Sequence, residues 1–296
     1  MAYVGRFAPS PTGPLHFGSL VTAVVSYLEA KTHHGKWMLR IEDLDTPRVQ
    51  AGAADNIIHT LAVFGFEWDG DIVYQSQRND AYLNAFSLLK DKQLIYPCTC
   101  TRKEIADSST QIGIEGFIYP GTCLSQAIKA NAPTAWRIKT EDKLMHFTDA
   151  IQGEITQNLT VDIADFVLKR ADDLFTYQLA VVVDDAAQGI THVVRGADLL
   201  HSTPRQIYLQ TLLNYHTPNY AHIPIATDQT GQKLSKQSCA KRLSATEASA
   251  AFFYALDFLK QNPPPELIQE NIAICWEWAF AHWNSVSIPK KHNKSI

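Results

Sequence analysis

The sequence predicts an α/β fold with a largely parallel sheet, and three observations carry this prediction. A strand-like run at residues 3–8 leads through a turn rich in proline and glycine into a helical pattern at 19–30. A second strand, 37–42, ends in charged residues, as strands that border a ligand crevice commonly do. Strand and helix patterns then alternate along the chain, which is typical of crossover connections between parallel strands.

The later elements follow from apolar spacing and from punctuating prolines. Helices are predicted at 49–64, 81–92 and 204–214, and strands at 180–185, 190–195 and 223–226. Two C-terminal helices, 245–260 and 266–283, are separated by three prolines, and the basic tail at 290–294 is predicted to be disordered.

Length and composition exclude several classes of protein. A chain of 296 residues with 46% hydrophobic content can bury a large core, with one main domain and a smaller one. A net charge of −4 argues against a general polyanion binder, so any nucleic-acid contact would use local basic patches. No apolar run approaches the ~20 residues of a membrane span, and no signal peptide precedes the first strand. We therefore expect a cytoplasmic protein with no membrane partner.

The turn after the first strand suits a phosphate group. Free backbone N–H groups and the positive end of the helix dipole favour an anion there. His16, at the mouth of the turn, can donate a proton or a hydrogen bond. A second motif far downstream, Lys233-Leu234-Ser235-Lys236-Gln237, adds two ammonium groups. No G-x-G-x-x-G fingerprint and no Walker P-loop is present, which weakens dinucleotide and P-loop alternatives.

Together the two motifs resemble the HIGH and KMSKS signatures of class I aminoacyl-tRNA synthetases. Phe17 replaces the usual isoleucine, and Leu234 and Gln237 replace methionine and the final serine. Neither change removes a charge. The resemblance implies a Rossmann-like catalytic domain that uses ATP with Mg²⁺ as a substrate. It also implies that His16 and Lys236 are catalytic, and that ATP is bound by His16, Gly18, Lys233 and Lys236.

Three charged residues indicate which amino acid is activated. Glu42 could pair with the ammonium group, although it could also be a surface carboxylate beside Arg40. Arg6 and Arg195 could clamp a side-chain carboxylate with their two-pronged guanidinium groups. Two arginines favour glutamate over glutamine, because an amide would leave positive charge unpaired. The alternative is a set of structural salt bridges with Asp43, Asp45 or Asp198.

Residues 3–236 resemble the catalytic half of glutamyl-tRNA synthetases. The matching segments are Arg6 to Ser10, Glu42-Asp43-Leu44-Asp45, Tyr177, Val183-Asp184-Asp185, 189–196 and Thr203-Pro204-Arg205-Gln206. Carried over residue by residue, the L-glutamate site would consist of Arg6, Phe7, Ala8, Pro9, Ser10, Glu42, Tyr177 and Arg195.

The stretch after Lys236 narrows the resemblance. Only 60 residues follow it (296 minus 236), too few for the helical domains with which full-length glutamyl enzymes read the anticodon. Together with Asp198-Leu199-Leu200 and Leu234, this short C-terminal region resembles that of the glutamyl-queuosine tRNA(Asp) synthetases. The resemblance implies a monomeric enzyme that activates glutamate without tRNA. The enzyme would then transfer glutamate to the queuosine base at the wobble position, and its partner would be the anticodon stem-loop of tRNA(Asp).

Two other functions stay open at this point. One is a minimal glutamyl-tRNA synthetase that charges the 3′ end of tRNA(Glu) or tRNA(Gln). The other is a noncatalytic, synthetase-like RNA-binding protein, against which the intact His16, Glu42 and Lys236 argue.

Five cysteines, an odd number, argue against a disulfide framework and for metal ligands or free thiols. Cys98-x-Cys100 and Cys123 could supply thiolates, or could be small core residues. The resemblance favours structural zinc with Tyr119 as fourth ligand, and His146 is the competing candidate. Cys239 and Cys275 are interpreted as packing residues. The predicted domains are 1–95 and 169–236 for the two catalytic halves, 96–168 for a zinc-containing, RNA-facing insert, and 237–296 for a C-terminal helical region.

Overall fold

Strands and helices alternate in the computed structural model, which describes residues 2–113, 116–227, 243, 245–290 and 293–295. The strands are β1 (Val4–Phe7), β2 (Lys36–Ile41), β3 (Val73–Tyr74), β4 (Ile95–Cys98), β5 (Ile112–Gly113), β6 (Gly116–Phe117), β7 (Ala135–Ile138), β8 (Leu144–Asp149), β9 (Gly153–Asn158), β10 (Val167–Lys169), β11 (His192–Gly196), β12 (Asn219–Ile223), β13 (Ile225–Thr227) and β14 (Asn293–Ser295). The helices are α1 (Phe17–Thr32), α2 (Ala53–Val63), α3 (Asn79–Asp91), α4 (Arg102–Ser108), α5 (Thr122–Ser125), α6 (Tyr177–Ala187), α7 (Thr203–Leu213), α8 (Ala248–Phe258) and α9 (Ile272–His282).

Two groups of parallel strands meet edge to edge. β1, β2 and β3 run parallel, and β11, β12 and β8 form a second parallel group with β9 antiparallel at its edge. Thr191, just before β11, links the groups: its N–H donates to Val4 O at 2.9 Å, and its Oγ1 accepts from Val4 N at 2.8 Å. The strand order is therefore β3-β2-β1-β11-β12-β8. The chain adds β2 and β3 outward on one side of β1 and later adds β11 and β12 outward on the other side, so the strand order reverses between β1 and β11. Such a reversal is where ligands bind in open α/β sheets. The predicted α/β class is confirmed.

Helix α1 is buried on most of its circumference. Leu20, Val24 and Leu28 are 0–1% exposed. Trp37 of β2 is fully buried beneath the helix, and its indole N–H donates to Ser26 Oγ at 2.9 Å. This apolar contact anchors the N-terminus of α1 directly above the carboxyl end of β1.

The prediction of a strand at 180–185 is wrong. These residues lie inside α6, whose side chains from Leu179 to Asp185 are all buried. The run of valines is typical of a strand, but a fully buried helix is also apolar on every side, so periodicity does not separate the two. The helix matters for function because consecutive residues point about 100° apart around its axis. Asp184 and Asp185 therefore reach different partners.

Two C-terminal predictions also need correction. The predicted helix 266–283 is divided into a 3₁₀ turn, Pro265–Ile268, and α9, because Asn271 caps a new helix by accepting from Ile274 N at 3.1 Å. Part of the basic tail is ordered, since β14 pairs in parallel with β13. The backbone hydrogen bonds of this strand stabilise the segment despite the basic side chains that led to the prediction of disorder.

Strands β4, β7 and β10 form a separate antiparallel sheet with the order β10-β7-β4. It shares an apolar core with α3, α6 and α7, in which Tyr82, Leu168, Leu179 and Leu209 are fully buried. Within the described ranges, no helix is long and apolar enough to cross a membrane.

Replacing Leu28 by alanine should lower the free energy of unfolding by about 2–5 kcal/mol, because the side chain is fully buried and leaves a cavity. Leu88→Ala is the matched control: this leucine of α3 is 52% exposed, so its loss should cost about 0.5 kcal/mol or less. Urea unfolding followed by circular dichroism measures both. Equal shifts of the two midpoints would contradict the assigned packing of α1.

Candidate active site

A cavity of about 290 Å³ opens at the carboxyl ends of β1, β2, β11 and β12. Its lining includes every residue predicted for glutamate and two of those predicted for ATP, His16 and Gly18. The described lining residues are Arg6, Phe7, Ala8, Pro9, Ser10, Thr12, Leu15, His16, Gly18, Ser19, Thr22, Glu42, Tyr177, Val194, Arg195, Gly196, Asp198, Leu199, Pro224, Ile225 and Ala226. Lys233 and Lys236 lie outside the described residues.

The turn from β1 to α1 is held by backbone hydrogen bonds and ends in a histidine cap. Glu42 N donates to Pro9 O at 3.0 Å, which ties the turn to the end of β2. Gly13 has a φ of 141°, a conformation that side chains rarely adopt. His16 Nδ1 accepts from Ser19 N at 3.4 Å. A neutral imidazole that accepts at Nδ1 carries its proton on Nε2, which lies 3.2 Å from Ser19 Oγ at the helix N-terminus.

Two acidic residues, Glu42 and Asp198, are among the described residues that line the cavity. The Glu42 side chain is 9% exposed and lies 3.3 Å from Arg40 Nη2. Burial raises the pKa of Glu42, although the Arg40 and Arg6 guanidinium groups oppose this shift. A cation that entered the cavity would stabilise the ionised form. Asp43 and Asp45 do not line the cavity: Asp43 accepts from Ser76, and Asp45 pairs with Arg48 and Arg170.

Arg6 is bound from below by a buried carboxylate. Its Nε lies 3.2 Å from Asp185 Oδ1, and Arg40 Nη1 contacts the same oxygen at 2.8 Å. Burial acts against ionisation, but the two guanidinium groups overcome it and hold the pKa of Asp185 below its usual value. Arg6 therefore has a counter-ion within the protein. That counter-ion is Asp185, and not one of the residues Asp43, Asp45 and Asp198 that the salt-bridge alternative named.

Asp184 completes this buried network. It lies 3.9 Å from Arg40 Nε and accepts hydrogen bonds from Arg78 Nε at 2.5 Å, Gln75 Nε2 at 2.8 Å and Tyr82 Oη at 2.8 Å. The network therefore joins β1, β2 and α3 to α6.

Arg195 is surrounded by neutral groups. It donates to Tyr177 Oη at 3.2 Å, Gln206 Oε1 at 2.8 Å, Thr203 Oγ1 at 2.7 Å, Leu199 O at 3.4 Å and His222 Nε2 at 2.9 Å. Among the described residues it forms no ion pair. Arg195 is 4% exposed, so its charge is largely removed from water and is compensated by hydrogen bonds to neutral groups.

Sequence reasoning assigned no role to the residues that support these arginines. Asp184, Asp185 and Gln206 fall in segments that resemble the synthetases, which was the available signal. His222 and Asp149 gave none, because a single histidine or aspartate in a strand pattern has no characteristic spacing.

The three predicted cysteines converge with Tyr119. The sulfur atoms of Cys98, Cys100 and Cys123 lie within 4.8 Å of one another, and Tyr119 Oη is 3.4 Å from Cys98 Sγ and 3.7 Å from Cys100 Sγ. The cluster could hold a metal ion. His146 is not part of it: its Nδ1 lies 2.8 Å from Thr156 Oγ1 on the neighbouring strand. Cys275 is fully buried elsewhere, as predicted, and Cys239 lies outside the described residues.

Comparison with known proteins gives the class first. Residues 3–250 match the family described as tRNA synthetases class I (E and Q), catalytic domain. The fold resembles a crystal structure of glutamate-tRNA synthetase from Elizabethkingia anophelis, with a TM-score of 0.80 and 24% identity over 100% of this chain and 68% of that one. The chain therefore has the fold of a class I synthetase catalytic domain.

Curated relatives named glutamyl-Q tRNA(Asp) synthetase cover nearly the full chain. The protein from Dechloromonas aromatica is 54% identical over 98% of this chain and 96% of its own length. Those from Aromatoleum aromaticum and Neisseria meningitidis are 52% and 50% identical, over 98% and 97% of this chain and 91% and 98% of their own lengths. The chain belongs to the glutamyl-Q tRNA(Asp) synthetase family, which confirms the predicted resemblance.

Asp185→Asn should destabilise the protein by about 3–5 kcal/mol at pH 7, because it leaves Arg6 and Arg40 short of a buried counter-ion. The pKa of Asp185 is lowered in the folded state, so its contribution is present above the unfolded value of 3.8 and is lost as pH falls further. The difference from wild type should therefore shrink below about pH 4.

Urea unfolding between about pH 2 and pH 7 measures this difference. Asp172→Asn is the control, because its pair with Arg170 is exposed and should contribute about 0–1 kcal/mol. A constant difference across this pH range would show that Asp185 acts through packing alone.

Proposed function

We propose that this protein activates L-glutamate with ATP in the absence of tRNA and transfers it to the queuosine base of tRNA(Asp). The observation that carries the proposal is the cavity itself. It combines Arg195, which forms no ion pair among the described residues, with the acidic Glu42 and the helix N-terminus at His16, in a member of the glutamyl-Q tRNA(Asp) synthetase family. The family relationship favours this function over 3′ charging of tRNA(Glu) or tRNA(Gln).

The charges of the cavity match those of glutamate. Glu42 would pair with the ammonium group, whose positive charge would oppose the upward shift that burial gives to the pKa of this carboxyl. Arg195 and the Tyr177 hydroxyl would bind the side-chain carboxylate, with Arg6 as the second guanidinium. Arg6 keeps Asp185 as its counter-ion, so discrimination against glutamine rests mainly on Arg195. Phe7, Ala8, Pro9 and Ser10 would form the wall beside the ligand backbone.

Activation joins the glutamate α-carboxylate to ATP. A carboxylate oxygen attacks the α-phosphorus, the bond to the β-phosphate oxygen breaks, and pyrophosphate leaves. His16 would donate its Nε2 proton as a hydrogen bond to the phosphates at the N-terminus of α1. Lys233 and Lys236 are proposed to stabilise the charge that develops on the leaving pyrophosphate, and Gly18 to let ATP approach the helix closely.

Transfer then uses a hydroxyl of the queuosine cyclopentene ring. Its oxygen attacks the acyl carbon of glutamyl-adenylate, the acyl–phosphate bond breaks, and AMP and a proton are released. The product is an ester on the base, held in the anticodon stem-loop.

We further propose that Cys98, Cys100, Cys123 and Tyr119 bind one structural zinc ion. Cys100 Sγ and Cys123 Sγ are 3.5 Å apart, close to the ~3.8 Å edge of a tetrahedron with Zn–S bonds of about 2.3 Å. Burial opposes ionisation, yet hydrogen bonds from Tyr119 and Thr99 lower the pKa of Cys123 to about 7, so one thiolate is accessible. Only Tyr96, Cys98 and Tyr119 are buried in this apolar cluster, so a metal would supply a cross-link that side-chain burial does not.

The proposed function predicts ATP–pyrophosphate exchange that depends on glutamate and needs no tRNA. Glutamine and aspartate should support little exchange, because neither places a carboxylate at Arg195. Comparable exchange with glutamine would overturn the specificity argument.

The acceptor is tested with labelled glutamate and three RNAs. These are tRNA(Asp) with queuosine, tRNA(Asp) without it, and queuosine-containing tRNA(Asp) from which the terminal adenosine has been removed. We expect labelling of the first and third, and release of the label by mild alkali. Equal labelling of the queuosine-free tRNA, or loss of labelling with the terminal adenosine, would favour the minimal 3′-charging synthetase.

Elemental analysis of protein purified without added metal should find about one zinc per chain. Cys98→Ser should lose it, and Cys275→Ser, a buried cysteine outside the cluster, should keep it. Tyr119→Phe should retain three thiolates and release zinc to a chelator faster. Full zinc in Cys98→Ser would rule out this ligand set.

A further inference from the structure

Three buried side chains form a line across neighbouring strands beneath the cavity. Asp149 ends β8, His222 lies in β12, and Arg195 lies opposite His222 in the register of β11 and β12. Asp149 Oδ2 is 2.5 Å from His222 Nδ1, and His222 Nε2 is 2.9 Å from Arg195 Nε. None of the three is more than 4% exposed. Asp149 and His222 do not line the cavity, and the proposed reaction gives them no task.

The hydrogen bonds define where the imidazole proton lies. Arginine Nε–H is a donor only, so His222 Nε2 must accept, and the proton must lie on Nδ1, where it is donated to Asp149. Burial and the Arg195 charge lower the pKa of His222 to about 4 against the opposing effect of Asp149, which keeps the ring neutral. The Thr203 hydroxyl, 3.2 Å from Nε2, is a second possible donor to the same lone pair.

Asp149 is itself held in one orientation. Its Oδ1 accepts backbone hydrogen bonds from Ile151 at 3.0 Å, Gln152 at 2.8 Å and His222 at 3.1 Å. The other oxygen, Oδ2, therefore always faces the imidazole. A carboxylate in this place can only accept, so it selects the His222 tautomer that also accepts from Arg195.

We infer that Asp149 and His222 are positioning residues for glutamate recognition: Asp149 sets the tautomer of His222, and His222 orients the Arg195 guanidinium towards the side-chain carboxylate of the substrate. The inference rests on the proposed role of Arg195. With Nε held by His222, the two terminal nitrogens donate to Tyr177 in the cavity wall and to Gln206 and Thr203.

Asp149→Asn tests the tautomer. Three backbone donors keep the amide oxygen in place, so the amide NH₂ faces His222 Nδ1 and forces the imidazole to accept there. Its proton then moves to Nε2 and points at Arg195 Nε–H, placing two donors against each other. The KM for glutamate in pyrophosphate exchange should rise about tenfold, and the KM for ATP should change less than about twofold.

His222→Leu provides the second background. Its side chain neither accepts from Arg195 nor has a tautomer to select, so Asp149→Asn should raise the glutamate KM less than about twofold further in that background. Tyr220→Phe is the matched control: it removes the buried hydrogen bond from Gln210 to the same strand, yet keeps the ring 5.3 Å from Arg195. Its glutamate KM should match wild type.

Each outcome decides between positioning and plain stability. Equal rises in the glutamate and ATP KM values, or the same effect of Asp149→Asn in both backgrounds, would overturn the inference. If Asp149→Asn does not fold, His222→Gln is compared with His222→Leu, which removes the acceptor; equal glutamate KM values for these two would overturn it as well. Absence of glutamate-dependent exchange in the wild-type protein would instead refute the proposed function.

Discussion

The buried ion network beneath the cavity is the interaction on which the rest of the site depends. Arg6 is 4% exposed and Arg40 is fully buried, and such charges persist in a core only where carboxylates and hydrogen bonds compensate them. Asp184 and Asp185 supply that compensation from successive positions of α6. Asp185 pairs with Arg6 of β1 and Arg40 of β2, and Asp184 pairs with Arg40 and with Arg78 beside α3, so the network holds β1, β2, α3 and α6 together. The cavity floor is therefore set by charge pairing as well as by apolar packing.

The arginines of the site differ in which groups compensate their positive charge. Arg6 and Arg40 are neutralised by acids, whereas Arg195 is solvated by hydroxyl, amide and imidazole groups that carry no charge. Neutral donors and acceptors can orient a guanidinium without consuming its electrostatic attraction. Glu42 lies across the cavity and would meet a cation. Under the proposed function, this separation suits a ligand with an ammonium group at one end and a carboxylate at the other.

The cysteine cluster addresses a different physical problem. The main core gathers around α1, and a second core joins α3, α6 and α7 to the antiparallel sheet. Beyond that sheet, the chain around Cys98 and Tyr119 buries little apolar surface. Arg137 packs over the Tyr119 ring at 4.0 Å and donates to Cys98 Sγ at 3.3 Å, so even without a metal this segment is organised by polar contacts to sulfur and phenol groups.

Local patterns in the chain were enough to establish the α/β class, the strand–turn–helix at His16, the acidic strand end at Glu42 and the cysteine spacing, because each is a short-range regularity of backbone or ligand chemistry. Family motifs in the sequence also pointed to the residues that are proposed to bind glutamate, all of which line the cavity. The helical state of 180–185, the pairing of Arg6 with Asp185 and the line from Asp149 through His222 to Arg195 were decided by tertiary structure alone. Each depends on which side chains share a buried space although they lie far apart in the sequence, and burial is a property that no local pattern contains.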